Sequence, residues 1–306
     1  MATRILVTGA SGFVGRHTLG PLIARGAEVH AVCRGSVVEE VDVQWHSIDL
    51  LDRAARRDLV AVVRPEIVLH LAWEARHGVY WTAPSNRDWV AATLEMLGEA
   101  CDAGGRRFVS VGSCIEYADG AEACDERTTP LAPFTLYGEC KDQCRRAAEK
   151  AAAAKRMSFA WARLFQLYGP GEHPERLVPS IARQLLGGQA APSTSGRAVR
   201  DFMDVRDAGA ALAALALCGV EGPVNVASCQ AASVRDVVER LAELAGRPDL
   251  PKIGALPDRD ERARLVAKVT RLFDEVGYRE VRPLDVGLPQ ALDYWRARVP
   301  SLVKSK

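Results

Sequence analysis

The sequence predicts an α/β protein with a doubly wound, parallel sheet and a smaller C-terminal lobe. Three observations predict it. Short apolar runs alternate with helical stretches through the first half of the chain. Those runs are apolar at successive positions, the pattern of strands covered on both faces. The alternation then breaks near residue 169, where Gly169-Pro170-Gly171 opens an irregular stretch. A chain of 306 residues that is 48% hydrophobic suits one large domain with an appended lobe.

The elements follow in order. Residues 5–8 (Ile-Leu-Val-Thr) are a strand, and residues 15–25 are a helix that stops at Gly26. A second strand spans 29–33. A helix over 54–63 ends at Arg64-Pro65, because a residue before proline is pushed out of helical conformation. Strands are predicted at 67–72, 108–111 and 159–164, and helices at 89–103 and 136–154, the former stopped by Gly104-Gly105. In the second half, helices are expected at 177–186, 205–217 and 234–245, a short strand at 224–227, and a last helix at 288–298, with a loop over 187–196. Residues 1–168 are read as the first domain, with 205–227 returning to it, and 169–306 as mainly the smaller lobe.

The segment Thr8-Gly9-Ala10-Ser11-Gly12-Phe13-Val14-Gly15 joins the first strand to the first helix. Gly9 permits a tight turn, Gly12 lets backbone approach a pyrophosphate, and Gly15 lets the helix pack on the sheet. The helix N-terminus aims free N–H groups at the phosphates. In this context the triplet marks a Rossmann dinucleotide site, with Ser11, Phe13 and Val14 in the turn. NAD sites carry Asp or Glu at the end of the second strand, where this chain has Cys33-Arg34-Gly35-Ser36. Arg34 and Ser36 can hold a 2′-phosphate, so NADP(H) is favoured over NAD(H). The other use of Arg34 is as a solvated loop side chain. Asp49-Leu50 can cap the adenine, and Leu71-Ala72 follow the strand beside the turn.

Tyr137 and Lys141 stand one helical turn apart on a shared face. An ammonium beside a phenol favours the phenolate and lowers its pKa, and the same lysine can hold a nicotinamide ribose. Ser113 follows the strand at 108–111, where a loop faces the cofactor, and its hydroxyl can hold a substrate oxygen. The set Ser113, Tyr137 and Lys141 suits hydride transfer at a carbinol carbon, with Tyr137 as general acid or base.

Other classes are disfavoured. The net charge of +1 gives no electrostatic basis for binding nucleic acid or an anionic membrane. The N-terminus runs straight into a strand without a signal-like segment, and no apolar run is long enough to span a bilayer. Eight scattered cysteines, none in a Cys-x-x-Cys pair, read as free thiols of a reducing cytoplasm. Cys140 and Cys144 can share a helix face, as packing residues rather than as a zinc site.

Taken together, the glycine turn, His70-Leu71-Ala72, Ser113, Tyr137-x-x-x-Lys141, the run Arg163-Leu164-Phe165-Gln166-Leu167-Tyr168-Gly169-Pro170 and the run Arg200-Asp201-Phe202-Met203-Asp204-Val205 resemble the extended short-chain dehydrogenase/reductase family, in its nucleotide-sugar branch. The resemblance covers nearly the whole chain. It implies that the C-terminal lobe binds the substrate, that Gln166 touches a sugar nucleotide and that Arg200 pairs with its pyrophosphate. The alternative use of Arg200 is an ion pair with Asp201 or Asp204. A homodimer built from the helices at 89–103 and 136–154 is also implied.

Departures from the family narrow the reaction. Its 4,6-dehydratases carry Asp-Glu directly after the catalytic Ser or Thr. Here Cys114-Ile115 stand there, and Glu116 comes one position late. The 3,5-epimerase/reductases that make GDP-fucose use a Cys–His pair, and the position matching their His is Arg176. The stretch Gly112-Ser113-Cys114-Ile115-Glu116-Tyr117 looks most like 4-ketoreductases of 6-deoxy-hexose nucleotides. The expected activity is NADPH-dependent reduction of a 4-keto group on a nucleotide-linked hexose. The alternatives are a C4 or C2 epimerase, a non-catalytic nucleotide-binding or regulatory protein on the same fold, and a reductase of a non-nucleotide carbonyl compound. The intact Ser113, Tyr137 and Lys141 weigh against a pure binder, and the Arg200 run weighs against a non-nucleotide substrate.

Overall fold

A computed structural model describes residues 2–35, 43–258 and 261–299. The first half lays down β1 (Arg4–Thr8), α1 (Arg16–Ala24), β2 (Glu28–Cys33), β3 (Gln44–Ser47), α2 (Arg53–Val63), β4 (Ile67–His70), α3 (Asn86–Asp102), β5 (Arg107–Ser113), α4 (Leu136–Lys155) and β6 (Ser158–Leu164). There follow β7 (Gln166–Tyr168), α5 (Leu177–Leu186), β8 (Ala191–Ser193), β9 (Val199–Asp204), α6 (Val205–Leu217) and β10 (Gly222–Val226). The last part holds β11 (Ala231–Ser233), α7 (Val234–Leu244), β12 (Pro251–Ile253), β13 (Arg264–Leu265) and α8 (Leu284–Arg296).

Seven strands form one sheet in the order β10-β6-β5-β4-β1-β2-β3, with every neighbouring pair parallel. This is the Rossmann order extended by β10, and its direction reverses between β1 and β4, where a crevice opens at the strands' carboxyl ends. The apolar runs are buried on both faces, as their composition requires. Val7, Leu69, Val109 and Ala160 belong to one core layer, and Leu6, Val68, Phe108 and Trp161 to the other. α6 packs against α1, and α3 against α4.

A second, four-stranded sheet is centred on β9, which pairs with β7, β11 and β13. β7 leaves the end of β6 directly, so β9 brings residues 199–204 to the carboxyl edge of the large sheet. Helices α5, α7 and α8 enclose a separate apolar cluster that includes Ile181, Leu185, Val238, Leu241 and Leu288. Expectations for this lobe change at these points. The stretch 187–196 contains β8, which pairs with β12. The last helix begins at Leu284 rather than at 288, with Pro289 inside it.

Candidate active site

The glycine turn sits at the crevice, and its glycines are needed for space. Gly9 has φ +64°, and a Cβ there would lie 2.9 Å from the Ala72 backbone N. A Cβ on Gly15 would lie 2.1 Å from the Gly9 carbonyl, so α1 could not start as close to β1. Gly12 N donates to Gly9 O at 3.0 Å, and Arg16 folds back onto the Ser11 and Gly12 carbonyls. The bare turn opening a helix fits a dinucleotide pyrophosphate.

Behind the turn, Thr93 joins Thr8 and the His70-Leu71-Ala72 run in a polar network. The Thr93 hydroxyl donates to Trp89 O, so its oxygen accepts from His70 Nε2 at 2.9 Å. His70 Nδ1 then accepts from the Thr8 hydroxyl at 2.8 Å, and Thr8 Oγ1 in turn accepts from the N–H groups of Leu71 and Ala72. These bonds select the neutral Nε2–H tautomer. Burial, assisted by Lys141 and Arg56, drops the His70 pKa to about 3. The expected strand at 67–72 therefore ends at His70, because Leu71 and Ala72 turn aside to donate to Thr8.

Of the residues expected to meet the adenosine, Arg34 is exposed beyond β2, and Ser36 lies outside the described residues. The Asp49 carboxylate accepts from Leu51 N at 3.0 Å, and Leu50 is buried with its carbonyl held by Arg56.

Ser113, Tyr137 and Lys141 meet at the carboxyl end of β5. Ser113 caps a short 3₁₀ turn, Cys114–Glu116, and Thr135 caps α4 by accepting from Gly138 N, which places Tyr137 in the first turn of that helix. The Tyr137 ring stands edge-on to Tyr80 and Trp81, with centroids 5.1 and 5.9 Å away. Tyr137 N donates to Trp81 O. The phenol is pushed above its ordinary value, chiefly by burial, with Tyr80, Glu116 and Cys114 adding, while a hydrogen bond from Ser113 pulls the other way. This corrects the expectation that lysine lowers the phenol. Lys141 is buried, its Nζ donates to Val111 O at 2.9 Å and lies 3.6 Å from the centroid of the Trp73 ring, and burial brings its own pKa down to about 7. Its Nζ stands 5.7 Å from the Tyr137 ring centroid.

Glu116 holds the floor of the site. It is fully buried, accepts from Arg163 Nε at 2.8 Å, from Trp161 Nε1 at 3.1 Å and from Ser113 N at 2.8 Å. Arg163 also donates to the Tyr117 hydroxyl, which donates to Asn225 on β10. Gly112 makes room for this cluster, since a Cβ there would lie 2.0 Å from Trp161 Nε1. A buried ion pair across a glycine is invisible to spacing rules, as its members are 47 residues apart. The Cys114 thiol is pushed up to about 12 by burial.

The two residues expected to meet the substrate, Gln166 and Arg200, lie on the second sheet. Gln166 is in β7, opposite Phe202. Arg200 pairs with neither Asp201 nor Asp204: it reaches Glu261 at 2.7 Å and Arg262 O at 2.8 Å. Asp201 is consumed by the Ser228 hydroxyl and the N–H groups of Ser228, Cys229 and Ala267, and Asp204 caps α6 and pairs with Arg206. Arg176, at the position of the expected histidine, pairs with buried Glu172 at 3.2 Å. Burial raises the Glu172 pKa to about 8, and its Oε2 has no hydrogen-bond partner.

The family model for the NAD dependent epimerase/dehydratase family matches residues 5–227. The chain belongs to that family. It is an NAD(P)-dependent enzyme of the extended short-chain dehydrogenase/reductase type. Among its relatives, dTDP-6-deoxy-L-talose 4-dehydrogenase (NAD(P)(+)) of Kitasatospora kifunensis is 30% identical over 259 residues, which cover 80% of each chain. GDP-6-deoxy-D-mannose reductase of Pseudomonas aeruginosa is 30% identical, over 98% of this chain and 99% of its own. The structure of UDP-glucose 4-epimerase from Thermus thermophilus in complex with NAD superposes with a TM-score of 0.82 at 25% identity, over 96% of this chain and 98% of that one. No helix among the described residues is long and apolar enough to cross a membrane.

Proposed function

We propose that the protein reduces the 4-keto group of a nucleotide-linked 6-deoxyhexose with NADPH. The observation that carries this reading is the fate of Glu116. Ser113, Tyr137 and Lys141 are assembled for carbonyl chemistry, while the acid that follows Ser113 is locked onto Arg163, Trp161 and the Ser113 N–H. No proton can be shuttled to or from it for an elimination without breaking a buried ion pair, so dehydration lacks its acid and base. Two relatives support the sugar class: both are named for 6-deoxy nucleotide sugars, one as a 4-dehydrogenase and one as a reductase.

NADPH, when bound on the glycine turn, supplies the hydride to C4. The Ser113 hydroxyl holds the carbonyl oxygen, and Tyr137 gives that oxygen its proton. Lys141 stands behind the phenol to hold the nicotinamide ribose. Arg34 and Ser36 would hold the 2′-phosphate, Ser36 being assigned from the sequence alone, while Asp49 and Leu50 would serve the adenine and Leu71 and Ala72 the pyrophosphate. Gln166 and Arg200 receive the sugar nucleotide, Arg200 exchanging Glu261 for the diphosphate. Residues 1–168 with 205–227 form the cofactor domain, and 169–306 otherwise form the substrate lobe. We place the protein in the cytoplasm as a homodimer joined through α3 and α4, and sedimentation as a monomer at micromolar concentration contradicts that assembly.

The test is NADPH consumption with a panel of nucleotide 4-keto-6-deoxy sugars. Stoichiometric oxidation of NADPH with one of them is the expected result. The epimerase reading draws on the likeness to the Thermus enzyme over nearly the whole chain. It predicts interconversion of nucleotide hexoses with tightly retained cofactor and no net change at 340 nm, the wavelength at which reduced nicotinamide absorbs.

A further inference from the structure

Arg262 lies in the segment before β13, far in sequence from Ser113 and Tyr137, and belongs to no motif. Its side chain is 6% exposed. Nη1 donates to Ile115 O and Nη2 to Ala132 O, each at 2.8 Å. Its guanidinium carbon sits 4.7 Å from the centroid of the Phe134 ring. The first carbonyl belongs to the turn that Ser113 caps. The second belongs to the strap that leads, through Phe134 and Thr135, into the turn of α4 carrying Tyr137. One planar fork therefore spans the two segments that present the hydroxyl and the phenol.

The fork is itself anchored. β13 runs parallel to β9, with Arg264 opposite Val199, and Arg200 donates to the Arg262 carbonyl at 2.8 Å. Stability alone gives little reason for this arrangement. A buried cation whose hydrogen bonds run to neutral carbonyls, with Nε left unpartnered, is costly, and an apolar side chain of like size is often tolerated as well or better. What the fork provides is a fixed spacing between two carbonyls.

We propose that Arg262 is a positioning residue that sets Ser113 and Tyr137 in register with one another by clamping Ile115 O and Ala132 O together. The inference rests on the roles assigned above to Ser113 and Tyr137. It places a determinant of the chemical step in the C-terminal lobe, on the same segment that Arg200 grips.

The experiment compares wild type, Arg262→Met and Arg262→Lys as full-length proteins. Arg262→Met is expected to lose roughly 10–100-fold in kcat, the scale of a misplacement near 1 Å. Sugar KM and NADPH affinity should stay within about threefold of wild type. Arg262→Lys keeps the charge but cannot bridge both carbonyls, so it should recover part of the loss. Hydrogen exchange on the NADPH complexes supplies a readout that needs no sugar. Peptides covering residues 113–117 and 131–138 should exchange faster in Arg262→Met, with residues 5–16 unchanged. If no 4-keto sugar is turned over by wild type, the proposed reaction fails while the exchange result still judges the clamp. The clamp is overturned by wild-type kcat in Arg262→Met, by Arg262→Lys equal to wild type, or by unchanged exchange in both segments. Should Arg262→Met not fold, Arg262→Lys carries the same kcat and exchange tests.

Discussion

The two halves of the site are held by opposite means. Behind the glycine turn, Thr8, His70 and Thr93 pass hydrogen bonds through a neutral imidazole to the Leu71 and Ala72 amides, and every member of that relay is uncharged. Around Ser113 and Tyr137 the supports are buried charges: Glu116 with Arg163, Lys141 under Trp73, and Arg262 across two carbonyls. On the proposed function the pyrophosphate side of the cofactor half grips with backbone and depends on shape, with charge supplied only at its far end by Arg34. The chemical half must hold a proton and an oxygen at fixed points, and it spends buried charge to do so. The cofactor half should therefore tolerate pH and fail by steric change, whereas the chemical half should fail when a charge or a proton is removed.

The largest expected effect is on the proton itself. Tyr137→Phe keeps the ring against Tyr80 and Trp81 but removes the phenolic proton, so turnover should fall roughly 10²–10⁴-fold. NADPH affinity should hold, because the glycine turn and Lys141 are intact. Near-normal turnover in steady-state assays would break the contrast at its centre. Next comes Glu116→Gln, which strands Arg163 in the interior and should cost about 3–5 kcal/mol of stability in denaturant titration. A loss below about 1 kcal/mol, the scale of an exposed pair, would mean that the buried pair contributes little.

A smaller effect tests the cofactor half. Arg34→Ala should weaken NADPH by about 1.5–3 kcal/mol, as for one charge-assisted pair, and leave NADH nearly unchanged. Equal weakening of both, or tighter NADH binding by wild type, removes the 2′-phosphate reading. The smallest effect concerns Lys141. Its folded pKa, brought from 10.5 to about 7 by burial, lies below its unfolded value. Between those values the unfolded chain binds the extra proton, so the penalty is full below pH 7 and is relieved as pH rises towards 10.5. Lys141→Met should therefore gain roughly 1–3 kcal/mol at pH 6–7, after the lost contacts with Val111 O and Trp73, and the gain should shrink towards pH 10. Melting curves across that range check both sign and trend.

This contrast also explains what the amino-acid sequence revealed. The glycine turn and the Tyr137–Lys141 pair are local, so their spacing is visible along the chain. α5 and α6 match their expected bounds: α5 has a one-sided apolar face and ends at Gly187, and α6 starts where the Asp204 side chain caps it. The short strands β7, β9, β11 and β13 were not visible, since strands of two to six residues are defined by partners distant in the chain rather than by their own pattern. The phenol's shift was misjudged because a motif shows which groups are close but not how deeply they are buried. Arg262 and Thr93 carry no signature at all, and the run that includes Arg163 does not show its pairing with Glu116, as an arginine or threonine acquires its role only from what the fold packs around it.

The pairing of β9 with β13 also sets the order in which the enzyme can come into being. A ribosome delivers the chain from the N-terminus, and all three members of the Thr8–His70–Thr93 support have been made once residue 93 is added. β5 and α4 follow soon after. The clamp on Ile115 and Ala132 cannot form until residue 262 has emerged and β13 has found β9, across a separation of 65 residues. The segments carrying Ser113 and Tyr137 are therefore synthesised well before the arginine that bridges them, so the site reaches its final spacing only late in the making of the chain.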